Sequence, residues 1–444
     1  MRTLRLLSIL ILLPILYVGR PRSLYGEPRI GKTLDISRVW SGHPVGFAFL
    51  TRQDRQFVAF YDEQRRMTVA ARTLDSDHWQ LVRLPANLAW DSHNYIAMVI
   101  DDDGYIHLSG NMHAVPLVYF RTSKPLDITT FQPILHMTGK EEDRCTYPIF
   151  FRGPNNQLVF TYRDGVSGNG NQIYNSYDLT SRTWTRLLDQ PLTSNQGHVS
   201  AYLEGPTRGP DGYFHLIWVW RNTPDCATNH DLSYARSLDL LRWETAAGQA
   251  LNLPITTKSG ASIDPVPVNG GLINGAAHLG WDSRKRPVVT YHKFDDRGFT
   301  QAYAARLEDG QWKFYQISNW DYRWEFHGGG SIPFEIHIGS VHPGASGELL
   351  LDYHHIRNGS GTWRLNESSL QVIGKATREP AWPAALNQPE SAFPGMQVRT
   401  LTNTGTKGVL YLLRWESLGP NRDRPREGPL PEPSTLRLYE IRQP

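Results

Sequence analysis

A chain of 444 residues with a net charge of only +3 and no basic run lacks the electrostatic footprint of a nucleic-acid binder. Hydrophobic content of 40% against 20% charged residues describes a folded protein with a sizeable core. Two cysteines, Cys145 and Cys226, do not make a disulfide framework, although an exported chain could pair them.

The chain begins with Arg2 and Arg5 ahead of an apolar run from Leu6 to about Val18, and small Ser23 and Gly26 follow. This predicts a secretory signal over residues 1–26 and a secreted or periplasmic mature protein. The run is short and lightly flanked for a membrane span, so an uncleaved anchor is the lesser reading. No later apolar run approaches membrane length.

From residue 27 onward one pattern recurs. A turn rich in Asp, Asn or Gly leads into a short apolar strand: Gln56-FVAFY, Gly104-YIHLSG, Gln157-LVFTY, Gly212-YFHLIWVW, Arg286-PVVTY, Gly347-ELLLDY and Gly408-VLYLL. These seven copies lie roughly 50 to 75 residues apart, the period of propeller blades. Most are followed by a strand, a polar turn and an aromatic, as in AARTLDSDHW (70–79), YFRTSKPLDITTF (119–131), YNSYDLTSRTW (174–184), YARSLDLLRW (234–243) and YAARLEDGQW (303–312), with GSGTW (359–363) a degenerate copy. These segments predict the outer hairpins of four-stranded blades.

The 11% aromatic share, with 38 Gly and 30 Pro, suits short strands and turns, and no helical pattern longer than about two turns intervenes. An isolated repeat buries too little to stand alone. Residues 27–444 are therefore read as one all-β domain, a seven-bladed β-propeller, with Thr435-LRLYEI completing a blade begun near the N-terminus. A β-helix would need a shorter period, and a sandwich would not repeat the Trp hairpin. Residues 379–394 and 419–433 read as loops of the last blade.

The chemistry-bearing residues gather around Trp90–Arg121. Ile96, Met98 and Ile100 alternate, Asp101-Asp-Asp-Gly104 is a turn, and Tyr105, His107 and Ser109 start a second alternation. A hairpin of this length returns the chain, so His93 before it and His113 after it emerge at one end as an acid/base or carboxylate-binding pair. The alternative is two separate hydrogen-bonded loop histidines. Tyr147 precedes a strand of the third repeat and Arg163 follows the next, in a loop with Gly165, Gly168 and Gly170. Arg163 offers a fork to a carboxylate, and Tyr147 beside it would ionise more readily than a free phenol. A blade-edge aromatic and a surface ion pair are the plain alternatives for these two. His215, Cys226 and His230 are soft donors that could reach one zinc ion, unless Cys226 is simply buried and His230 bonds its loop.

WSGHPVGF (40–47), the 90–121 stretch, TYPIFF with TYRDGVSGNG, and WVWRNTPDCATNHDLSYARS (218–237) together resemble the BNR-repeat propeller family of carbohydrate-active enzymes. That family includes ulvan lyases, L-rhamnosyl-α-1,4-D-glucuronate lyases and relatives described as α-L-rhamnosidases. The resemblance covers nearly all of the chain after residue 26, and is closest to the rhamnosyl-glucuronate branch through WSGHPVGF.

It implies β-elimination at a uronate, with a carboxylate neutralised, the C5 proton removed and the leaving O4 protonated. His93 and Tyr147 would be the proton carriers, without saying which is base and which is acid. His113 would bind the carboxylate or assist proton transfer, and Arg163 would neutralise it. Tyr202 matches a further active-site tyrosine; His198 and Arg221 are candidate substrate contacts, and His278 is a candidate channel residue for sugar hydroxyls. His215, Cys226 and His230 would correspond to a structural zinc, leaving the chemical step without a cofactor.

The resemblance also supplies a rival. In the rhamnosidase relatives a histidine resembling His43, on the opposite face of the propeller, carries hydrolysis of the same linkage. A lone histidine is a thin apparatus for hydrolysis, which usually uses two carboxyl groups. A third reading is a non-catalytic glycan-binding propeller. A sialidase is disfavoured, because no arginine triad with a nucleophilic tyrosine is evident. In every reading the partner is a polysaccharide or oligosaccharide.

Overall fold

The computed structural model describes residues 27–405 and 408–442; the segment read as a secretory signal lies outside them. Among the described residues the helical elements are 3-10 turns of three or four residues. None of the helices among the described residues is long and apolar enough to cross a membrane.

Among the described residues the strands form seven antiparallel sheets of four to six strands, most of them built in chain order as meanders. In the first sheet Ala48–Arg52, Arg55–Tyr61, Arg66–Thr73 and Gln80–Asn87 follow one another. Six of the seven apolar segments of the sequence fall on the second strand of a sheet, Arg55–Tyr61, Ile106–Gly110, Phe214–Arg221, Pro287–Phe294, Glu348–His355 and Val409–Leu418, and the seventh, Leu158–Val166, is the central strand of the five-stranded third sheet. The seventh sheet departs from the simple meander. Its fourth strand is Arg29–Val39, paired with Ser434–Arg442 as the sequence suggested.

Most of these strands read as nearly unbroken apolar runs because both of their faces are covered, whereas Glu348–His355 of the sixth sheet alternates buried and partly exposed residues. In Phe214–Arg221 every residue is buried. Leu216, Trp218 and Trp220 pack with Val159 and Tyr174 of the third sheet, while Ile217 and Val219 pack with Val289 and Tyr291 of the fifth. Alternation with period two thus feeds two different cores from one strand. Tyr119 meets Phe160 and Trp184 between the second and third sheets, and Val288 and Ala302 meet Ile338 and Leu351 between the fifth and sixth. One large cluster joins Leu413 and Leu438 of the seventh sheet to Phe57 of the first and Met98 of the second.

The tryptophan hairpins serve these seams. Trp184 and Trp243 are buried, whereas Trp363 lies within the third strand of its sheet instead of after it. Both cysteines are free and buried: Cys145 packs among Tyr162 and Phe160, and Cys226 among Ile273 and Trp324.

Leu438 is fully buried where the seventh and first sheets meet. Leu438→Ala is expected to lower the unfolding free energy by about 3 kcal/mol, read by urea denaturation. Leu81→Ala, at an exposed position, should stay within about 0.5 kcal/mol of wild type.

Candidate active site

The site begins with a short-range capture. In the connection between the first and second sheets, Asp91 Oδ1 accepts from the backbone N–H of His93 at 2.8 Å and from its own-loop imidazole Nδ1 at 2.7 Å. This is an Asx turn, the usual behaviour of an aspartate two residues upstream. The other carboxylate oxygen of Asp91 holds His113 Nδ1 in a short hydrogen bond. One carboxylate thus clamps both imidazoles, whose ring centroids are 4.3 Å apart. With each Nδ1–H committed to Asp91, each Nε2 is left for other work.

His113 reaches this place because its strand, His113–Val115, pairs with Cys145–Arg152 and sets His113 opposite Thr146. Tyr147 follows. It sits in a bulge, since the ladder to Leu158–Val166 jumps from Thr146 to Ile149, and it has the left-handed φ of 59°. A bulge re-aims a side chain out of the ladder, and backbone held in this region by a non-glycine residue is a mark of functional sites. The ring of Tyr147 lies 5.6 Å from His93 and 6.0 Å from Tyr202.

Arg163 lies in a strand, opposite Thr146, and not in a loop as the glycines suggested. Its guanidinium lies 5.0 Å from the Tyr147 ring centroid and 5.6 Å from that of Tyr202, donating to Tyr202 OH at 3.3 Å and to Thr146 Oγ1 at 3.2 Å. Gly170 leaves room for it, since a Cβ there would come within 2.7 Å of Arg163 Cδ. Arg163 is only 2% exposed, its Nε has no partner, and no carboxylate pairs with it. Its guanidinium is therefore turned to the two tyrosine rings and to Thr146. Arg221 stacks on Tyr202 from the other side at 5.3 Å and donates to Asn274 Oδ1 at 3.2 Å. Beside Tyr147 and Tyr202 opens a cavity of about 370 Å³.

Charge is fixed here by burial against pairing. Burial disfavours the His93 cation, but the carboxylates of Asp423 and Asp91 outweigh it and hold its pKa up at about 9. Burial works against the Asp91 and Asp423 anions too, yet hydrogen bonds from the imidazoles, joined at Asp423 by Ser92, keep both well below the usual carboxylate range. Tyr147 corrects an expectation: burial, with Tyr202 next to it, pushes its phenol above the ordinary tyrosine range despite Arg163 and Arg221. It rests protonated.

His43 is likewise not on a far face. Its ring lies 5.6 Å from that of Trp90, directly behind Asp91, and its Nδ1 accepts from Trp40 Nε1 at 2.9 Å. It is 3% exposed, its Nε2 has no partner, and burial lowers its pKa to about 4. A buried neutral imidazole beneath the site floor is shielded from a glycosidic oxygen.

The zinc expectation fails on geometry. His215 sits at the start of Phe214–Arg221, bonded to Tyr234 OH and Asp211, whereas His230 pairs with Trp220 at the other end and bonds Asp231 and Asn222. Five residues of extended strand separate the two by roughly 16 Å, and Cys226 lies in an apolar core. The described residues contain one tight group of potential metal donors, Asp91, His93 and His113, within 4.8 Å of one another. Both Nδ1 atoms of the group hydrogen-bond Asp91.

His198 is exposed in the loop before Ser200–Arg208. His278 pairs with Glu204 at 2.7 Å, and Glu204 lines the cavity two residues along the strand from Tyr202. Two site residues escape a reading of the sequence. Asp91 has a signal, its place two residues before His93 in WDSH; Asp423, in the Pro/Arg-rich loop, has none nearby.

The family model for BNR repeat-containing proteins matches residues 55–320. The chain belongs to that family. No curated protein matches it in sequence. Among solved structures, this BNR-repeat protein is similar to the polysaccharide lyase Uly1, with a TM-score of 0.61 and 14% identity over 93% of this chain and 99% of that one. It is also similar to a PL25 ulvan lyase, at a TM-score of 0.58 and 13% identity over 93% of this chain and 96% of that one. The same kind of lyase bound to -[GlcA(1-4)Rha3S]- gives 0.57, with 12% identity and the same coverage. At these identities the likeness is one of fold, an all-β, propeller-like architecture.

The raised pKa of His93 makes stability depend on pH. Its ion pairs stabilise the BNR-repeat protein fully below the ordinary imidazole value of 6.5 and are lost as pH rises through about 9. Urea unfolding at pH 6 and pH 9.5 should therefore show a larger fall for wild type than for His93→Gln. An equal fall would remove His93 as its source.

Proposed function

We propose that the seven sheets are the blades of one closed ring, and that the protein is an exported polysaccharide lyase acting on a glucuronate-containing glycan by β-elimination. The observation that carries this reading is the convergence of an aspartate-clamped histidine pair and two guanidinium groups on Tyr147 and Tyr202, the two tyrosines that line the cavity.

Elimination needs a cationic environment for the C6 carboxylate, a base for the C5 proton and an acid for O4. His93, charged below pH 9 and 21% exposed, supplies positive charge beside the carboxylate, with Arg221 across the tyrosines. His113 shares only one carboxylate and is the more exposed imidazole at 32%; its free Nε2 is the base. Tyr147, resting protonated, delivers its proton to the leaving oxygen. Arg163 beneath the ring steadies the phenolate that forms. Hydrolysis is less well served. The carboxylates closest to the pair, Asp91 and Asp423, are both spent on His93 and held ionised, so neither is available as a carboxylic-acid donor.

The linkage we propose is L-rhamnose-α-1,4-D-glucuronate, as in arabinogalactan-type or ulvan-like polysaccharides. The apolar lining of the cavity by Ile149, Leu203 and Val219 suits a 6-deoxy sugar. Tyr202 and, from the loop, His198 are its proposed contacts, with His278 at the far end.

Digestion of such a glycan should raise ultraviolet absorbance as the unsaturated uronate forms. Tyr147→Phe and His113→Ala are each expected to lower that rate by about 10²–10⁴-fold. Release of free rhamnose without the absorbance, abolished by His43→Ala, would replace elimination by hydrolysis. Binding without either product would leave a lectin-like propeller. The rate should also fall as pH rises through about 9, when His93 gives up its proton.

A further inference from the structure

The loop between Val409–Leu418 and Ser434–Arg442 carries Asp423 into the middle of the site. Asp423 Oδ2 lies 3.3 Å from His93 Nδ1 and accepts from the Ser331 N–H at 2.7 Å and its hydroxyl at 3.2 Å. Oδ1 accepts from the Ser92 N–H at 3.1 Å and its hydroxyl at 2.6 Å. Arg422 and Asp423 are consecutive residues in the left-handed region, φ 51° and 56°. Two such residues in a row persist only where the surroundings impose them.

The surroundings here are a glycine strap, residues 327–331. Arg422 donates from its backbone to Ser331 O at 2.9 Å and from Nη1 to His327 O at 2.8 Å. A Cβ on Gly330 would meet Arg422 O at 2.3 Å. The far end of the strap is tied to the fourth sheet, where Gly328 N donates to Asp225 Oδ1 at 2.6 Å and Cys226 N donates to Gly328 O at 2.9 Å. Asp225 follows the Thr223 and Pro224 carbonyls that receive the Arg221 guanidinium. The strap therefore runs from the His93 side of the site to the Arg221 side, and Asp423 is where it is fastened.

We propose that Asp423 is a positioning residue that keeps the His93 imidazole oriented and charged, from the same carboxylate to which the 327–331 strap is fastened. The proposal rests on the lyase reading for its consequence in catalysis, but not for its structural content. The groups facing His93 are Asp91 on its own loop, His113 and Tyr147 from the second and third sheets, and Asp423 from the seventh. Asp91 is divided between two imidazoles, while Asp423 serves His93 alone. Removing Asp423 should therefore take away the undivided half of the negative charge on that ring.

The decisive experiment is a substrate-free NMR titration of the histidine rings in the full protein. Wild-type His93 should titrate near pH 9, and Asp423→Asn should lower that midpoint by one pH unit or more. Ser331→Ala, which frees one strap tie but keeps the charge, should leave it in place. In the wild-type protein the Asp423 carboxyl carbon should respond with the same midpoint as His93, a readout that survives if Asp423→Asn does not fold. If the lyase reading also holds, the high-pH limb of kcat moves down with the midpoint, with KM changing less. On that limb, a midpoint lower by one pH unit reduces the rate by roughly tenfold. An unmoved midpoint in Asp423→Asn, an equal fall in Ser331→Ala, or an Asp423 carbon blind to His93 would each overturn the proposal. A lowered midpoint in a protein that cleaves no uronate would instead sink the lyase reading and leave the positioning role standing.

Discussion

One carboxylate shared by two imidazoles is the interaction on which this site depends. Without Asp91, two rings 4.3 Å apart would repel whenever both carried charge, and nothing would fix which nitrogen each presents. With it, both Nδ1 atoms are turned inward and both Nε2 atoms outward. The surrounding groups then differentiate the pair: a second carboxylate on one ring, greater exposure on the other. Two identical side chains thus stand in different electrostatic surroundings, as paired carboxyl groups do in acid–base sites.

The fold makes such a cluster inexpensive in conformational terms. The fourth sheet is locked by cores on both faces, so the loops at its end inherit a rigid base. Cationic side chains buried without acidic partners would ordinarily be a liability. Arg163 is accommodated between two aromatic rings and hydroxyl acceptors, and its unpartnered Nε leaves an electrostatic demand within the site. Asp91 and Asp423, by contrast, are already satisfied.

Much of this is legible in the residues. Most of the seven apolar segments stand out because a strand buried on both faces loses its polar alternation, and six of them are second strands. His93 and His113 pair as the sequence predicts because hairpin geometry is local. Tyr147 and Arg163 do group together, but their details lie beyond the sequence: the bulge that turns Tyr147, and the burial that keeps its phenol protonated, arise from packing between sheets. The His215, Cys226 and His230 grouping fails for a simple reason. Nearness in sequence is not nearness in space, and a fully extended strand carries the two histidines to opposite ends. The place of His43 beside Trp90 depends on how the first two sheets abut, which no local pattern encodes. Asp423 has no local pattern to betray it either.

The seam between Arg29–Val39 and Ser434–Arg442 has a consequence for the life of the molecule. Partners such as Arg38 and Thr435 stand 397 residues apart, so the last sheet cannot be zipped until nearly the whole chain has emerged. Contacts of such separation form slowly, because the intervening chain must first be ordered. A chain cut short of Ser434 would present Val409–Leu418 as an open edge, prone to pair with a neighbouring molecule. The loop that brings Asp423 hangs from this same sheet. Pairing Ser434–Arg442 into this sheet therefore also fixes the far end of the loop that sets Asp423 beside His93.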